Sequence, residues 1–287
     1  MRFLVQALVA VTTAASDHGE EVARLVGELA APTRAARLEA QEALLALPGE
    51  AVPLLAQAVP PPGFEPRAAL RYALSHRPRA PRPVKVPAGS YRVGSPFVPD
   101  QNPPREVTLE AFSIDDVEVT CFQWWRFTRA TGSSLPPDWL AGRYGYGGES
   151  LPVANVAPEE AARFAEWVGG RLPTADEWEV AAHGGTCRPF PWGEEFDGHL
   201  THQPLRRFFS VAAPEVGSEE DDRSPFGGHD FCSSLSEWVT LPDGRFAARG
   251  GSFLSGGKEF LRLTRAPDPR LTRRRPVVGV RVVGRTP

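Results

Sequence analysis

All seven tryptophans of this 287-residue chain lie at or after Trp124, in a stretch where short apolar runs alternate with Gly, Pro and Asp. Helical periodicity is convincing there only over Phe122 to Ala130 and over Pro158 to Val168, where Ala161, Phe164, Ala165 and Trp167 mark one face. A chain patterned this way cannot build its core from long regular elements. It is expected to hold irregular loops in place with a few large aromatic side chains. The 30 Pro and 27 Gly agree, since one stiffens and the other frees the backbone of turns.

Before residue 83 the pattern is helical. Val22, Leu25, Val26 and Leu29 share one face, and Pro32-Thr33 ends that helix and starts the next. Leu38, Ala40, Ala43, Leu44 and Leu47 give a second helix, Pro48-Gly49 breaks it, and Val52, Leu54, Leu55 and Val59 give a third. After the turn at Pro60 to Gly63, Pro66 to Leu74 reads as a fourth. Paired helices of this kind resemble HEAT-type repeats, with RLVGELAAPTRAARLEAQEALLALPGEAVPLLAQAV as the matching stretch. Such units stack to present a surface, so residues 17–77 read as a docking arm or as a structural cap. Residues 78–83 form a Pro/Arg linker, and a second domain occupies 84–287. The first 16 residues, MRFLVQALVAVTTAAS, read either as a secretory signal cleaved near residue 16 or as an amphipathic helix. The first alternative gives a secreted or periplasmic protein.

Several classes are excluded. With 41% hydrophobic and 23% charged residues and a net charge of -3, the composition is that of a folded soluble chain. No run approaches the roughly 18 to 20 apolar residues of a membrane span. Cys121, Cys187 and Cys232 are odd in number and widely spaced, so they make neither a disulfide framework nor a C-x-x-C zinc site, which leaves open that one pair bridges after folding. From Arg245 onward there are eleven Lys or Arg against only Glu259 and Asp268. These are interleaved with Phe253, Leu261, Leu263, Val277, Val278, Val280 and Val282, which argues for strands of a folded domain rather than a nucleic-acid-binding arm.

Eight blocks then occur in a recognisable order: VPAGSYRVGS (86–95), VTLEAFSIDDVEVTCFQWWRF (107–127), LPVANVAPEEAARFAEWV (151–168), RLPTADEWEVAAHGG (171–185), PFPWGEEF (189–196), SPFGGHDFCSSLSEWVT (224–240), ARGGSF (248–253) and GVRVV (279–283). Together they resemble the formylglycine-generating, or sulfatase-modifying factor, domain. The resemblance implies an α+β fold: a loop-rich, C-type-lectin-like domain, here preceded by a small all-α HEAT-like region. Read physically, Thr174 and Glu177 have capping-box spacing, Trp178, Ala181 and Ala182 form the buried face of a short helix, and Gly184-Gly185 closes it. The paired glycines of ARGGSF place Ser252 at the base of a groove.

Formylglycine-generating members are copper oxidases whose two metal-binding cysteines follow the RGGS turn. In RGGSFLSGGKEFLR those two positions hold Ser255 and Phe260, and neither replaces a thiolate. The iron-dependent sulfoxide synthases of the family use histidines of an added helical domain, whereas here that arm holds only His18 and His76. His183, His199, His202 and His229 complete the inventory, with one H-x-x-H pair in a loop. The residues thus argue against copper and iron. A structural Ca2+ of the family maps onto Asp230, the carbonyls of Ser233 and Leu235, and Glu237, with the usual Gly-Asn replaced by Ser233-Ser234. The alternative is that Glu237 hydrogen-bonds backbone amides beside Trp238. Glu219 to Asp222 read as a solvated acidic loop, and no G-x-S-x-G elbow, P-loop, H-E-x-x-H or dinucleotide fingerprint occurs.

The expectation is therefore a non-oxidising family member that acts as a ligand- or protein-binding module. Its groove would be lined by Ser252, Ser255, Lys258, Phe260, Arg262 and Arg265, whose cations either suit an anionic peptide or glycan or pair internally with the domain's acidic loops. The alternative is a metal-dependent oxidoreductase of the sulfatase-modifying-factor type.

Overall fold

The computed structural model describes residues 18–96, 102–139, 144–145, 147–197, 213–255, 261–265, 267–268 and 273–284. The proposed signal segment, His199, His202, Lys258 and Phe260 lie outside the described residues. The chain divides into two compact units, Met1–Pro78 and Arg79–Pro287. No helix among the described residues is long and apolar enough to cross a membrane.

The first unit is helical. Residues 18–28 form α1, followed by α2 (Arg34–Ala46), a 3-10 turn (Gly49–Ala51), α3 (Val52–Gln57) and α4 (Phe64–Ser75). Thr33 caps α2 by accepting the Ala36 amide at 3.2 Å, as Pro-Thr predicted. Val22, Leu25, Val26, Leu29, Leu44, Leu55 and Leu70 are buried, so the periodicity identified the packed faces correctly. One expectation fails: α3 ends at Gln57, and Val59 is 87% exposed instead of packed. Pro60 and Pro61 carry no amide hydrogen to extend the helix. Val59 lies beside an apolar groove of about 420 Å³ that also takes in Val22, Val26, Leu54 and Pro61.

The second unit mixes helices with small sheets. Strands β1 (Pro83–Val86) and β4 (Phe112–Asp115) pair antiparallel, as do β2 (Gly89–Val93) and β3 (Arg105–Leu109). In a third sheet β5 (Ser236–Thr240) lies between antiparallel β6 (Phe246–Arg249) and parallel β7 (Val278–Gly279). The helices are α5 (Cys121–Thr131), α6 (Pro158–Trp167) and α7 (Ala175–His183). Thr120 with Gln123, and Thr174 with Glu177, form reciprocal capping boxes at α5 and α7. Trp124, Trp178 and Trp238 are fully buried. Trp124, Phe127 and Phe164 make one aromatic nest with centroids 5.3 to 5.5 Å apart, while Trp178 meets Phe231 edge-on at 5.3 Å. The basic tail folds into this unit. Its strands are β6 and the two-residue β7, but Leu261, Leu263, Val280 and Val282 are buried without belonging to a strand. Single backbone bonds still tie these residues in, as the Val280 and Val282 carbonyls accept the Val119 and Asp115 amides at 2.8 and 2.9 Å.

Candidate functional site

The RGG turn leaves β6 at Arg249. Gly250 has φ +83°, and a Cβ on Gly251 would lie 2.3 Å from the Cys232 carbonyl and 2.6 Å from the Leu261 side chain. Only glycine lets these backbones approach so closely. The chain then turns tightly, with the Ser255 amide donating to the Ser252 carbonyl at 2.8 Å. Ser255 Oγ accepts the Ser252 amide at 2.9 Å and lies 3.3 Å from Ser252 Oγ. The structure thus brings Ser252 and Ser255 together. Ser252 and Phe253 are buried and Leu254 is 54% exposed. Arg262 and Arg265 are half-buried on the segment 261–265.

Two buried polar centres flank this turn. The first surrounds Arg281, which emerges just beyond β7 and is fully buried. Its Nε donates to both oxygens of Glu237 at 3.0 Å, and a terminal nitrogen reaches Oε1 at 2.7 Å. Further bonds go to the carbonyls of Asp115 and His229, and the guanidinium sits 4.0 Å from the Phe231 ring centre. Trp178 Nε1 donates to Glu237 Oε2 at 2.6 Å. Among the described residues Glu237 is therefore held by side chains from α7 and the tail, not by the backbone amides named as its alternative partners.

Three more carboxylates share this centre. Glu118 accepts Ser234 Oγ at 3.0 Å and the Leu235 amide at 3.1 Å. Asp222 accepts the amides of Cys232 and Ser233, both at 3.0 Å, and the Ser233 hydroxyl at 3.2 Å. The solvated-loop reading of Glu219 to Asp222 thus fails at its last residue: Asp222 is fully buried because it caps this turn. Asp230, with φ +67°, accepts the Gly217 amide on Oδ2, while its buried Oδ1 has no hydrogen-bond partner among the described residues. Burial pushes Asp222 up to about 6. Burial and the Asp222 charge push Asp230 up to about 7. Burial, Asp230 and Glu237 hold Glu118 well above the carboxylate range. One guanidinium faces four carboxylates, and the proposed calcium residues Asp230, Ser233, Leu235 and Glu237 all belong to this centre.

The second centre is built on Glu179 of α7, fully buried. Its carboxylate accepts the Gly94 amide at 2.7 Å, Arg249 at 2.6 Å, Asn102 Nδ2 at 3.4 Å and His183 Nε2 at 3.4 Å. His183 Nδ1 accepts the Gly185 amide at 3.1 Å, so the ring hydrogen is on the nitrogen facing Glu179. Burial raises the Glu179 carboxyl, but Arg249, His183 and the Gly94 amide outweigh it and hold it at about 2.

The three cysteines are free thiols. Cys121 Sγ donates to the Pro152 carbonyl at 3.6 Å and Cys232 Sγ to the Leu261 carbonyl at 3.1 Å. Burial raises all three thiols above their ordinary value, which favours the protonated form over a metal-binding thiolate. Among the described residues, no three His, Cys, Asp or Glu side chains are grouped to hold a metal on their own.

Sequence reasoning missed Arg281, Glu118, Asp222, Glu179, Arg249 and Asn102 as organisers. A signal existed for Arg281: a lone charge inside VVGVRVV cannot be buried without an acid. Asn102 and Glu118 carry no comparable local mark.

The profile of the sulfatase-modifying factor enzyme 1-like domain matches residues 71–286. A formylglycine-generating enzyme of Mycobacterium tuberculosis is 30% identical over 55% of this chain and 73% of its own length. A hercynine oxygenase of the same organism is 29% identical over 50% of this chain and 40% of its own length. Among solved structures, PvdO from Pseudomonas aeruginosa superposes with a TM-score of 0.58 at 23% identity, covering 72% of this chain and 95% of that one. This last likeness concerns the fold alone.

Proposed function

Because the chain belongs to the sulfatase-modifying factor enzyme 1-like domain family, we propose that it is a non-oxidising member, a binding module whose ligand surface follows the RGG turn. The observation that carries this reading is Ser255. At the position where the family's oxidase has its first cysteine, a hydroxyl is tied to the Ser252 amide, and the chain's three thiols lie elsewhere, bonded to carbonyls or buried. A hydroxyl is a poor ligand for Cu(I), so the residues do not fit that metal. Arg262 and Arg265 give the surface its cations, suited to an anionic peptide or glycan, and exposed Leu254 adds an apolar contact. We read the fold as C-type-lectin-like and the helical unit as a HEAT-like docking arm.

We propose calcium as the metal of this chain, on the chemistry of the donors alone. Asp230 has an oxygen to spare, the carbonyls of Ser233 and Leu235 are hard donors, and Glu237 adds charge although Trp178 and Arg281 already hold it. A divalent cation there would offset the surplus of carboxylates.

Oxygen consumption with a cysteine-containing sulfatase peptide, after loading with copper or with iron, tests the reading. No turnover, together with retention on immobilised heparin that Arg262→Ala/Arg265→Ala loses, is the expected result. Stoichiometric copper with turnover overturns it. The second reading, a metal-dependent oxidoreductase, is favoured by the relatives, which include both a formylglycine-generating enzyme and a hercynine oxygenase.

A further inference from the structure

The Glu179 centre does more than satisfy its own charge. Arg249, oriented by Glu179, donates to the carbonyls of Leu263 at 3.3 Å and Arg265 at 3.1 Å, and its other terminal nitrogen donates to the Ala175 carbonyl at 3.2 Å. Asn102, touching the same carboxylate, donates to the carbonyl between them, Thr264, at 2.9 Å. Three successive carbonyls of the segment carrying Arg262 and Arg265 are therefore held by two side chains that share one buried carboxylate. Asn102 is fixed at the other end too, since its own carbonyl accepts the Ser95 amide at 2.7 Å. The Leu263 amide goes to the Pro189 carbonyl and the Arg265 amide to the Arg262 carbonyl.

We propose that Asn102 and Arg249 are positioning residues of the ligand surface: anchored on Glu179, they hold the carbonyls of residues 263–265 and so fix the backbone from which Arg262 and Arg265 reach an anionic ligand. The inference rests on the binding reading given above. Its physical basis is that an immobile backbone spares a bound ligand the entropy of ordering it. Asn102 is the member to remove, because Arg249 also pairs with a buried charge and its loss would perturb more than the segment.

The test combines native-state hydrogen exchange with retention on immobilised heparin, using the full chain and Asn102→Leu, with Asn102→Ala as a second variant should the first misfold. Loss of the amide donor is expected to speed exchange at the Leu263 and Arg265 amides about tenfold. Amides of the β5–β6 pairing and the urea midpoint should stay near wild type, and heparin affinity should fall by a similar factor. Unchanged exchange at both amides overturns the proposal. A rise spread equally over β5 and β6 also overturns it, because the effect is then global. Faster exchange confined to 263–265, with neither wild type nor variant retained on heparin, supports the anchoring role and refutes the ligand reading instead.

Discussion

The two buried centres of the second unit use the same chemistry with opposite balance. At Glu179 one carboxylate meets one guanidinium, and amide, imidazole and carboxamide donors occupy its remaining lone pairs. At Arg281 one guanidinium is shared among Glu118, Asp222, Asp230 and Glu237. The difference appears in the acids themselves, since Glu179 is held at about 2 while Asp222 and Asp230 are driven up to about 6 and about 7. A balanced centre is finished as it stands and can serve as an anchor. One with surplus carboxylates must take up protons or a cation, so it responds to its surroundings.

Removing the guanidinium of the unbalanced centre should do the most damage. Arg281→Met leaves Glu237 buried beside three other acids, and we expect a loss of about 3 to 5 kcal/mol in urea unfolding, enough to deplete soluble protein. A loss below that of Arg249→Met would contradict the contrast. Next is the pH dependence of the balanced centre. Because the Glu179 carboxyl lies below its ordinary 4.5 when folded, its contribution is complete above that pH and is lost as pH falls through about 2. The shift corresponds to roughly 3 kcal/mol. Glu179→Gln should lower stability at pH 7 and flatten the acid limb of the stability profile; an acid limb identical to wild type would show that Glu179 is not ionised.

Calcium should act only at the other centre. Added at about one hundred times its dissociation constant, it should stabilise the wild-type protein by about 2.7 kcal/mol and raise its melting temperature. Asp230→Asn should lose most of that gain, and equal stabilisation of both proteins would place the ion elsewhere. The smallest effect is expected at Glu118. Glu118→Gln keeps an oxygen for the Leu235 amide and offers Ser234 Oγ a donor in place of an acceptor, and Glu118 is already driven toward its neutral form, so in chelator the change should be under about 1 kcal/mol where Glu179→Gln loses more. Destabilisation by both substitutions alike would end the distinction.

How much of this could be read beforehand depended on whether the cause was local. The capping box of α7 is a matter of Thr174 and Glu177 three positions apart, and it forms as their spacing predicted. The extents of α5 and α6 agree with the apolar periodicity to within a residue or two. Val59 did not follow, because periodicity ignores the two prolines that end its helix. The centres were hidden for a different reason: Asn102 and Thr264, or Glu118 and Leu235, are more than a hundred residues apart and meet only after folding. Asp222 misled because three acidic neighbours made it look like surface. The Asp230 and Glu237 pairing came from the family pattern, whereas the Arg281 that binds Glu237 came only with the structure.

Trp178 and Glu179 are consecutive residues of a nine-residue helix, yet one serves the Arg281 centre and the other the Arg249 centre. Neighbours on a helix point about 100° apart. Inserting or deleting one residue ahead of them within α7 would therefore swing both side chains off their partners in a single event, whereas the same change in an exposed turn would be absorbed. Length variation in descendants of this chain should accordingly collect in the loops and leave the interval from Thr174 to Glu179 at a fixed count.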